Sequence, residues 1–275
     1  MSLKKLIHPT LTFIFSISLN SFASCLPVSF DHIFFNVSPK AYEQIGKSDF
    51  FRTDHLSFFE AFKNPFGDHR GHYITGQKHY LEVFNSKDRK NKAPIGIGFI
   101  SESPKCLPII QQALQSSLPD FFKMREKENW GQMTEAQTTN MHLWVSELDP
   151  NFLGSPNEKI DRINYLNWIR KTNGDDNKPP RLNHIQKIQI NLPKIDAQLL
   201  ESVFSQLRWR KIDWNQNSVT LSNGETTLII SESPSPKVQE IQFVVDPHQA
   251  PKQDKKCSEV FLSLSDTDML WMNTK

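Results

Sequence analysis

The sequence predicts an α+β fold built from a repeated unit: one strand, one helix, then two or three further antiparallel strands. Three apolar strands are each followed at once by a helix start that contains proline, and twice this proline is preceded by a capping serine. Short strand-like runs, rather than another helix, follow each of the three helices. A repeat of this kind forms one curved sheet per unit, and paired units extend that sheet.

The first unit lies near the start of the chain. Its first strand, residues 31–37, is mostly apolar. Ser38 supplies a capping hydroxyl and Pro39 suits the first helical position, so a helix begins here and ends near Gly46. The strands that we expect after it are residues 56–62, 71–75 and 80–84.

The second unit repeats this order and completes a pair. Its first strand is residues 95–100, a helix begins at Ser103, and the last strand is expected at residues 138–147. We therefore expect a domain of paired units over residues 26–153. A short helix and a polar run then form a linker, residues 154–180.

The third unit, residues 181–275, contains the clearest amphipathic helix of the chain. Its first strand is residues 183–190, and Pro193 marks the start of the helix. Asn223-Gly224 is a strong two-residue hairpin signal. The strands expected after the helix are residues 218–221, 226–230, 260–264 and 269–272.

The first 23 residues have the features of a secretory signal peptide. Lys4 and Lys5 are the only charged residues before Asp31, and a mostly apolar stretch follows them and ends in small residues suited to cleavage after Ala23. Polar residues interrupt this stretch short of a spanning length, so a signal is favoured over a membrane anchor. We expect a periplasmic or secreted protein without a stable membrane span.

The charge balance excludes one class of partner. The chain has 32 Lys and Arg against 30 Asp and Glu, a formal charge of +2, and signal cleavage removes two lysines and no acid. The mature chain is therefore formally neutral, which argues against nucleic acid held by phosphate contacts. The sequence does not indicate an oligomeric state.

Export also affects the interpretation of the three cysteines, because disulfides persist in an oxidising compartment. We expect Cys106 to pair with Cys257, leaving Cys25 free or lipid-modified, although three thiols do not fix the pairing. A small buried residue is the alternative for Cys106. Simple secretion is favoured over a lipoprotein because Phe22 fits the aliphatic position before a lipid-modified Cys25 poorly.

The first half of the chain carries a family resemblance. A first strand that opens with Asp31-His32, and a last strand Tyr80-Leu81-Glu82-Val83-Phe84 with glutamate at its centre, resemble the vicinal-oxygen-chelate superfamily of glyoxalases, extradiol dioxygenases and bleomycin-resistance proteins. Together with residues 48–52, 73–76, 96–99, 144–147 and 150–153, they are similar to a bacterial glyoxalase-like family. The resemblance implies paired βαβββ units that form cupped sheets.

The same resemblance implies one divalent metal, of unspecified identity, inside the cup. His32 matches the first-strand ligand of the first unit, Glu82 matches its last-strand ligand, and Glu147 matches the last-strand ligand of the second unit. The remaining position falls at Gly96, which has no side chain to coordinate a metal. Three ligands and a water would still serve a catalytic metal, and Glu82 would be the carboxylate that moves protons.

The residues taken alone allow a structural interpretation of each candidate. A histidine in an apolar strand, such as His32, is more often a hydrogen-bonded core residue than a ligand. Glu147 stands near a strand end, where a carboxylate can simply be solvated. Glu82 is the best single candidate, because strand alternation groups it with Tyr80 and Phe84, and an unpaired acid among aromatic rings is costly to bury.

Aromatic residues on the predicted strands indicate a pocket for a small, mostly apolar ligand, although a core between sheets would use the same residues. The expected lining is Phe34, Tyr73, Tyr80, Phe84 and Trp144. The sequence therefore predicts an exported glyoxalase-like protein that binds a small organic ligand, with metal-dependent lyase, isomerase or dioxygenase chemistry if it is an enzyme. The alternatives are a non-catalytic binding or sequestering protein on this fold, and an envelope interaction protein whose cup is filled by side chains.

Overall fold

The computed structural model of the protein describes residues 25, 28–48, 57–64, 67–89, 92–118, 122–127, 131–149, 151–152, 161–173, 180, 182–245, 259–264 and 270–274. The expected signal peptide and Cys257 lie outside these ranges. Within them, no helix combines the length and the apolar character that crossing a membrane requires.

The first eight strands form one mixed sheet from two units of the same topology. The first unit comprises β1 (Ser29–Val37), α1 (Pro39–Lys47), β2 (Ser57–Asn64), β3 (Gly67–Thr75) and β4 (Tyr80–Asn85). A 3-10 helix (Ser86–Arg89) follows it. The second unit comprises β5 (Ile95–Ser101), α2 (Leu107–Ser117), β6 (Lys123–Lys127), β7 (Gly131–Gln137) and β8 (Met141–Leu148).

The strand order of this first sheet is β2-β3-β4-β1-β5-β8-β7-β6. In each unit the first strand pairs in parallel with the last, β1 with β4 and β5 with β8, while β1 and β5 pair antiparallel at the centre. The sheet is thus a symmetric pair of βαβββ units, which confirms the predicted fold class.

Among the described residues between the two sheets lies one helix, α3 (Arg162–Thr172). The second sheet is formed by β9 (Leu182–Leu192), β10 (Arg210–Trp214), β11 (Ser218–Ser222), β12 (Thr227–Glu232), β13 (Lys237–Val245), β14 (Glu259–Leu264) and β15 (Leu270–Thr274), with α4 (Lys194–Gln206) after β9. Its order is β10-β11-β12-β9-β13-β14-β15, and β9 pairs in parallel with β12. The third unit therefore repeats the first two, and three antiparallel strands extend its sheet.

Local sequence explains where the helices begin. The Ser38 hydroxyl accepts a hydrogen bond from the Ala41 N–H at the start of α1, and the Asp161 carboxylate accepts one from the Asn164 N–H at the start of α3. α2 begins at Leu107, four residues later than Ser103, because Lys105 has a left-handed backbone with φ of 64° that a helix does not tolerate.

One hydrophobic core lies beneath α1, α2 and α4 and joins the two sheets. The rings of Phe99 on β5 and Phe204 on α4 are in contact, with centroids 5.1 Å apart. In the first turn of α4, the buried carboxylate of Asp196 accepts hydrogen bonds from Thr138 and Asn140, in the turn between β7 and β8, at 2.6 and 2.8 Å. The face of the first sheet that packs on α1 and α2 is called the helix face below, and the opposite face is the cup face.

The disulfide differs from the expected one. Cys106 is bonded to Cys25, across a sequence separation of 81 residues, so the expected pairing of Cys106 with Cys257 is wrong. The reason is that Cys25 lies beside the start of α2, where it is buried: Cys25 and Val28, which precede β1, are only 4% and 3% exposed. The thiol of Cys25 is therefore used in a disulfide.

Candidate functional site

The cup face collects the aromatic residues of the expected pocket. On β4, Leu81 and Val83 face the main core, whereas Tyr80, Glu82 and Phe84 alternate to the cup face. Phe34 on β1, Tyr73 on β3 and Trp144 on β8 lie on the same face. The structure thus brings together all five aromatic residues that the sequence predicts for a pocket.

His32 is held by two polar neighbours on the cup face. Its Nδ1 atom lies 2.7 Å from the Asp31 carboxylate, and its Nε2 atom lies 3.2 Å from the Tyr80 hydroxyl. The ring also stacks on Tyr80 at 4.0 Å between centroids. Asp31 and His32 are only 2% and 6% exposed, so both nitrogens of this ring are engaged inside the protein.

Glu82 lies beside Phe34 in the pairing of β1 with β4. Burial raises the pKa of the Glu82 carboxyl above its usual range, while the charges of His32 and Arg89 offset part of this effect. Arg89, from the 3-10 helix, places its guanidinium carbon 4.6 Å from the ring centroid of Phe34 and 4.1 Å from that of Phe84. Burial lowers the pKa of Arg89, and Glu82 partly restores it. The Glu82 carboxyl group and the Arg89 guanidinium therefore lie among aromatic rings, in an environment partly shielded from water.

Two buried polar atoms in this region lack a partner. Among the residues that the structure describes, Asp31 Oδ1 and Arg89 Nε are buried and make no hydrogen bond. Buried polar groups in folded proteins are nearly always satisfied, by protein or by water. A ligand or water molecule between the rings and the charged groups would supply the missing partners.

Helix α3 covers the cup face. Leu166 and Ile169 on this helix are fully buried in a cluster with the aromatic residues of the cup, and Tyr165 and Trp168 pack against the same cluster. Tyr165 shares a side-chain hydrogen bond with Tyr80. Burial raises the pKa of both tyrosines, so their hydroxyls stay protonated at neutral pH.

The sequence predicts a helix in this segment, but as part of a linker and not as a cover over the cup face. The signal for a covering helix was the spacing of Tyr165, Leu166, Trp168 and Ile169, which places four apolar or aromatic side chains on one helix face.

Two glycines on β5 let aromatic rings take the space of side chains. A Cβ atom added to Gly96 would lie 2.0 Å from the Phe34 ring, and one added to Gly98 would lie 2.6 Å from the Trp144 indole. The position that the resemblance assigns to a metal ligand in the second unit is therefore filled by Phe34.

Glu147 does not face the cup, so its expected role as a metal ligand is corrected. Its carboxylate lies at the N-terminus of α2, where it accepts hydrogen bonds from the N–H groups of Lys105, Cys106 and Leu107 at 2.7 to 2.9 Å. Trp144, three residues earlier on β8, lies on the cup face, and residues an odd number apart on a strand lie on opposite faces. Glu147 therefore stabilises a helix end.

The divalent metal implied by the family resemblance does not fit the side chains of the cup. His32 is bound to Asp31 and Tyr80, Phe34 fills the position at Gly96, and Glu147 is on the other face. In the described part of the chain, no three His, Cys, Asp or Glu side chains come together as a metal centre requires. His32 and Glu82 alone remain of the expected set.

The comparisons with known proteins place the fold. A family model for a family of unknown function, DUF5829, matches residues 30–272. The chain belongs to this family. No curated protein sequence matches the chain.

Solved structures with a similar fold share little sequence with this DUF5829 chain. A hypothetical protein from Staphylococcus aureus has a TM-score of 0.50 and 10% identity, covering 90% of this chain and 98% of that one. A fusion of a xylose isomerase-like TIM barrel and a 4-hydroxyphenylpyruvate dioxygenase has a TM-score of 0.50 and 12% identity over 80% of this chain and 38% of that chain. A 4-hydroxymandelate synthase variant from Streptomyces coelicolor has a TM-score of 0.47 and 9% identity, covering 90% of this chain and 92% of that one. At such identities the first two matches show the fold alone, which is of the glyoxalase and dioxygenase type.

Proposed function

We propose that this protein is an exported, metal-independent binding protein for a small organic molecule that combines an aromatic or other flat apolar ring with a polar group. The ligand occupies the cup face of the first sheet, beneath α3. The observation that carries this proposal is the pair of buried, unsatisfied polar atoms, Asp31 Oδ1 and Arg89 Nε, among aromatic side chains.

Different residues of the cup bind different parts of the ligand. Arg89 donates to an acceptor on the ligand, such as a carboxylate or carbonyl oxygen, because a guanidinium has donors and no acceptor. Asp31 and Glu82 accept from a ligand hydroxyl or amine, and the rings of Phe34 and Phe84 supply the apolar contact. These charged groups raise the free energy of a cup filled only by protein, which is why a purely structural role explains them poorly.

A binding role is favoured over metal-dependent catalysis by the donor set of the cup. Metal-assisted chemistry on vicinal oxygens requires several ligands around an open position, and His32 and Glu82 alone provide two. A raised pKa equips Glu82 to exchange a proton, but ligand recognition requires no such step.

Export is supported by the Cys25–Cys106 disulfide, since structural disulfides persist mainly outside the cytoplasm. Cys25 also stands just after the expected cleavage position. A thiol used in this disulfide is not free to carry a lipid, which favours simple secretion over a lipoprotein.

The test is a ligand screen on the mature, oxidised protein. Small aromatic carboxylates and phenols are added at about 100 times the dissociation constant sought, where binding stabilises the native state by about 2.7 kcal/mol. We expect at least one compound to raise the melting temperature of the wild type, and Arg89→Gln to remove that shift. Arg125→Gln, an exposed arginine on the same sheet, is the matched control and keeps the shift.

Two results would overturn the proposal. One is a ligand shift that is the same in Arg89→Gln as in the wild type, because binding would then lie elsewhere. The other is a stoichiometric metal in the wild type that is lost in His32→Ala and in Glu82→Ala, because the cup would then be a metal centre.

A further inference from the structure

Helix α3 packs on the first sheet as a separate layer. Its buried residues, Leu166 and Ile169, belong to the cup cluster and not to the main core beneath α1, α2 and α4. On its other side Ile163 is 51% exposed, and Asn167 is also exposed. Displacement of α3 would therefore uncover the cup and leave the main core intact.

The polar groups beneath α3 weaken its closed position. Asp31 Oδ1, which lies near Tyr165 of α3, is buried without a partner, and burial disfavours the charged form of Glu82. Each such group loses hydration when the helix closes and regains it when the helix leaves. The closed state is thus less favourable than its apolar contacts alone suggest.

Arg162 at the start of α3 compensates for this weakness with contacts to both sheets. Its Nη1 atom donates to the Phe30 carbonyl of β1 at 3.0 Å and lies 2.8 Å from Nε2 of His79. Its Nη2 atom donates to the Glu225 carboxylate of the second sheet at 3.4 Å. One guanidinium therefore connects the covering helix, the edge of the cup and the second sheet.

The second sheet holds Glu225 in place for this contact. Glu225 lies in the turn between β11 and β12, where the Asn223 side chain accepts hydrogen bonds from the N–H groups of Glu225 and Thr226. Lys78 of the first sheet donates to the other carboxylate oxygen of Glu225 at 2.5 Å. The Glu225 carboxylate is thus held between two cations, Lys78 and Arg162.

We infer that α3 is a lid over the cup and that the contact of Arg162 with Glu225 is its latch, through which the second sheet controls access to the cup. The role of the lid in controlling access rests on the proposed binding function. The movement of α3 itself can be measured without any ligand. Loss of the Glu225 charge opens the lid because Arg162 then keeps the neutral carbonyl of Phe30 as its acceptor and no charged partner at this contact.

Hydrogen exchange of the α3 amides in the mature protein tests the latch. We expect Glu225→Gln to increase exchange of residues 164–172 by about tenfold, since a hydrogen bond to a charged group contributes more than a neutral one. Exchange in β1 and β5 stays at its wild-type rate. Glu232→Gln, an exposed glutamate on the neighbouring strand, is the matched control and leaves α3 unchanged. Unchanged α3 exchange in Glu225→Gln, or an equal increase in β1 and β5, would overturn the latch.

The fluorescent aromatic sulfonate 8-anilinonaphthalene-1-sulfonate then tests access to the cup. We expect Glu225→Gln to bind this probe about tenfold more tightly than the wild type, and Arg89→Gln in the same background to remove the gain. Faster α3 exchange without probe binding would overturn the cup as a binding site while the lid stands. Tighter probe binding without faster α3 exchange would overturn the lid.

Discussion

The ring of Phe34 lies directly over Gly96, its neighbour in the antiparallel pairing of β1 with β5. The fit is close, since an added Cβ atom would be 2.0 Å from Phe34 Cε1. This contact occurs at the centre of the sheet, where the two units meet. An aromatic residue of the first unit thus fills the position from which a ligand of the second unit would project.

A methyl group at Gly96 should therefore destabilise the protein through Phe34. We expect Gly96→Ala to lower the free energy of unfolding by about 1–3 kcal/mol, the usual range for overpacking, as measured by urea denaturation. Phe34→Leu in the same chain should recover part of the loss, which a double-mutant cycle measures as a coupling energy. Purely additive effects would contradict the contact.

The removal of Glu147 should destabilise α2 without affecting the cup. We expect Glu147→Ala to lower the free energy of unfolding by about 2 kcal/mol, because three N–H groups lose a charged acceptor at a helix N-terminus. Glu43→Ala removes an exposed glutamate paired with Lys47 on α1, and should cost about 0.5 kcal/mol or less. Equal losses in the two variants, again from urea denaturation, would show that Glu147 does not cap the helix.

The cup face of the first sheet could largely be predicted from the sequence. Tyr80, Glu82 and Phe84 share a face because side chains alternate along a strand, and this rule needs no tertiary information. The same rule places Trp144 and Glu147 on opposite faces of β8, because the two residues are three positions apart. Assigning both to the cup followed the family resemblance rather than the alternation.

Other features could not be predicted because they depend on contacts between distant residues. The sequence does not predict four of the strands: β6, β7, β10 and β13. Two of these, β6 and β10, are polar strands at sheet edges and lack a clear apolar pattern. The latch of Arg162 depends on His79 and Glu225, which are 83 and 63 residues away. The partner of Cys106 depends on how the chain enters β1, and three cysteines alone allow three pairings.

The disulfide predicts different effects for the three cysteines. We expect Cys25→Ser and Cys106→Ser each to lower the free energy of unfolding by about 2–4 kcal/mol, because the bond closes a long loop and restricts the unfolded chain. Cys257→Ser leaves this disulfide intact and is the control. Peptide mapping under non-reducing conditions checks the pairing directly, and a peptide that links Cys106 to Cys257 would contradict it.

His79 should make the protein less stable in mild acid. This histidine is fully buried. Its titratable and charged neighbours are Lys78, which precedes it in the loop before β4, Arg162 of α3, and Glu225 and His184 of the second half of the fold. Its Nδ1 atom accepts the Ile185 N–H at 2.9 Å. Burial, and then the charge of Arg162, lower the pKa of His79 well below its usual range, so the folded protein keeps it neutral.

The sign of the pH effect follows from this neutral form. Below the ordinary histidine pKa of about 6.5 the unfolded chain binds a proton that the folded protein does not, so the free energy of unfolding falls by up to about 1.4 kcal/mol per pH unit. His79→Asn keeps an acceptor near the Ile185 N–H and removes the titration. We expect the free energy of unfolding of this variant, measured in urea, to be lower than that of the wild type at pH 7. It should also change less between pH 6.5 and pH 5. His184, whose pKa is also lowered by burial, still contributes to the slope that remains. A slope equal to that of the wild type would show that His79 is not kept neutral by the fold.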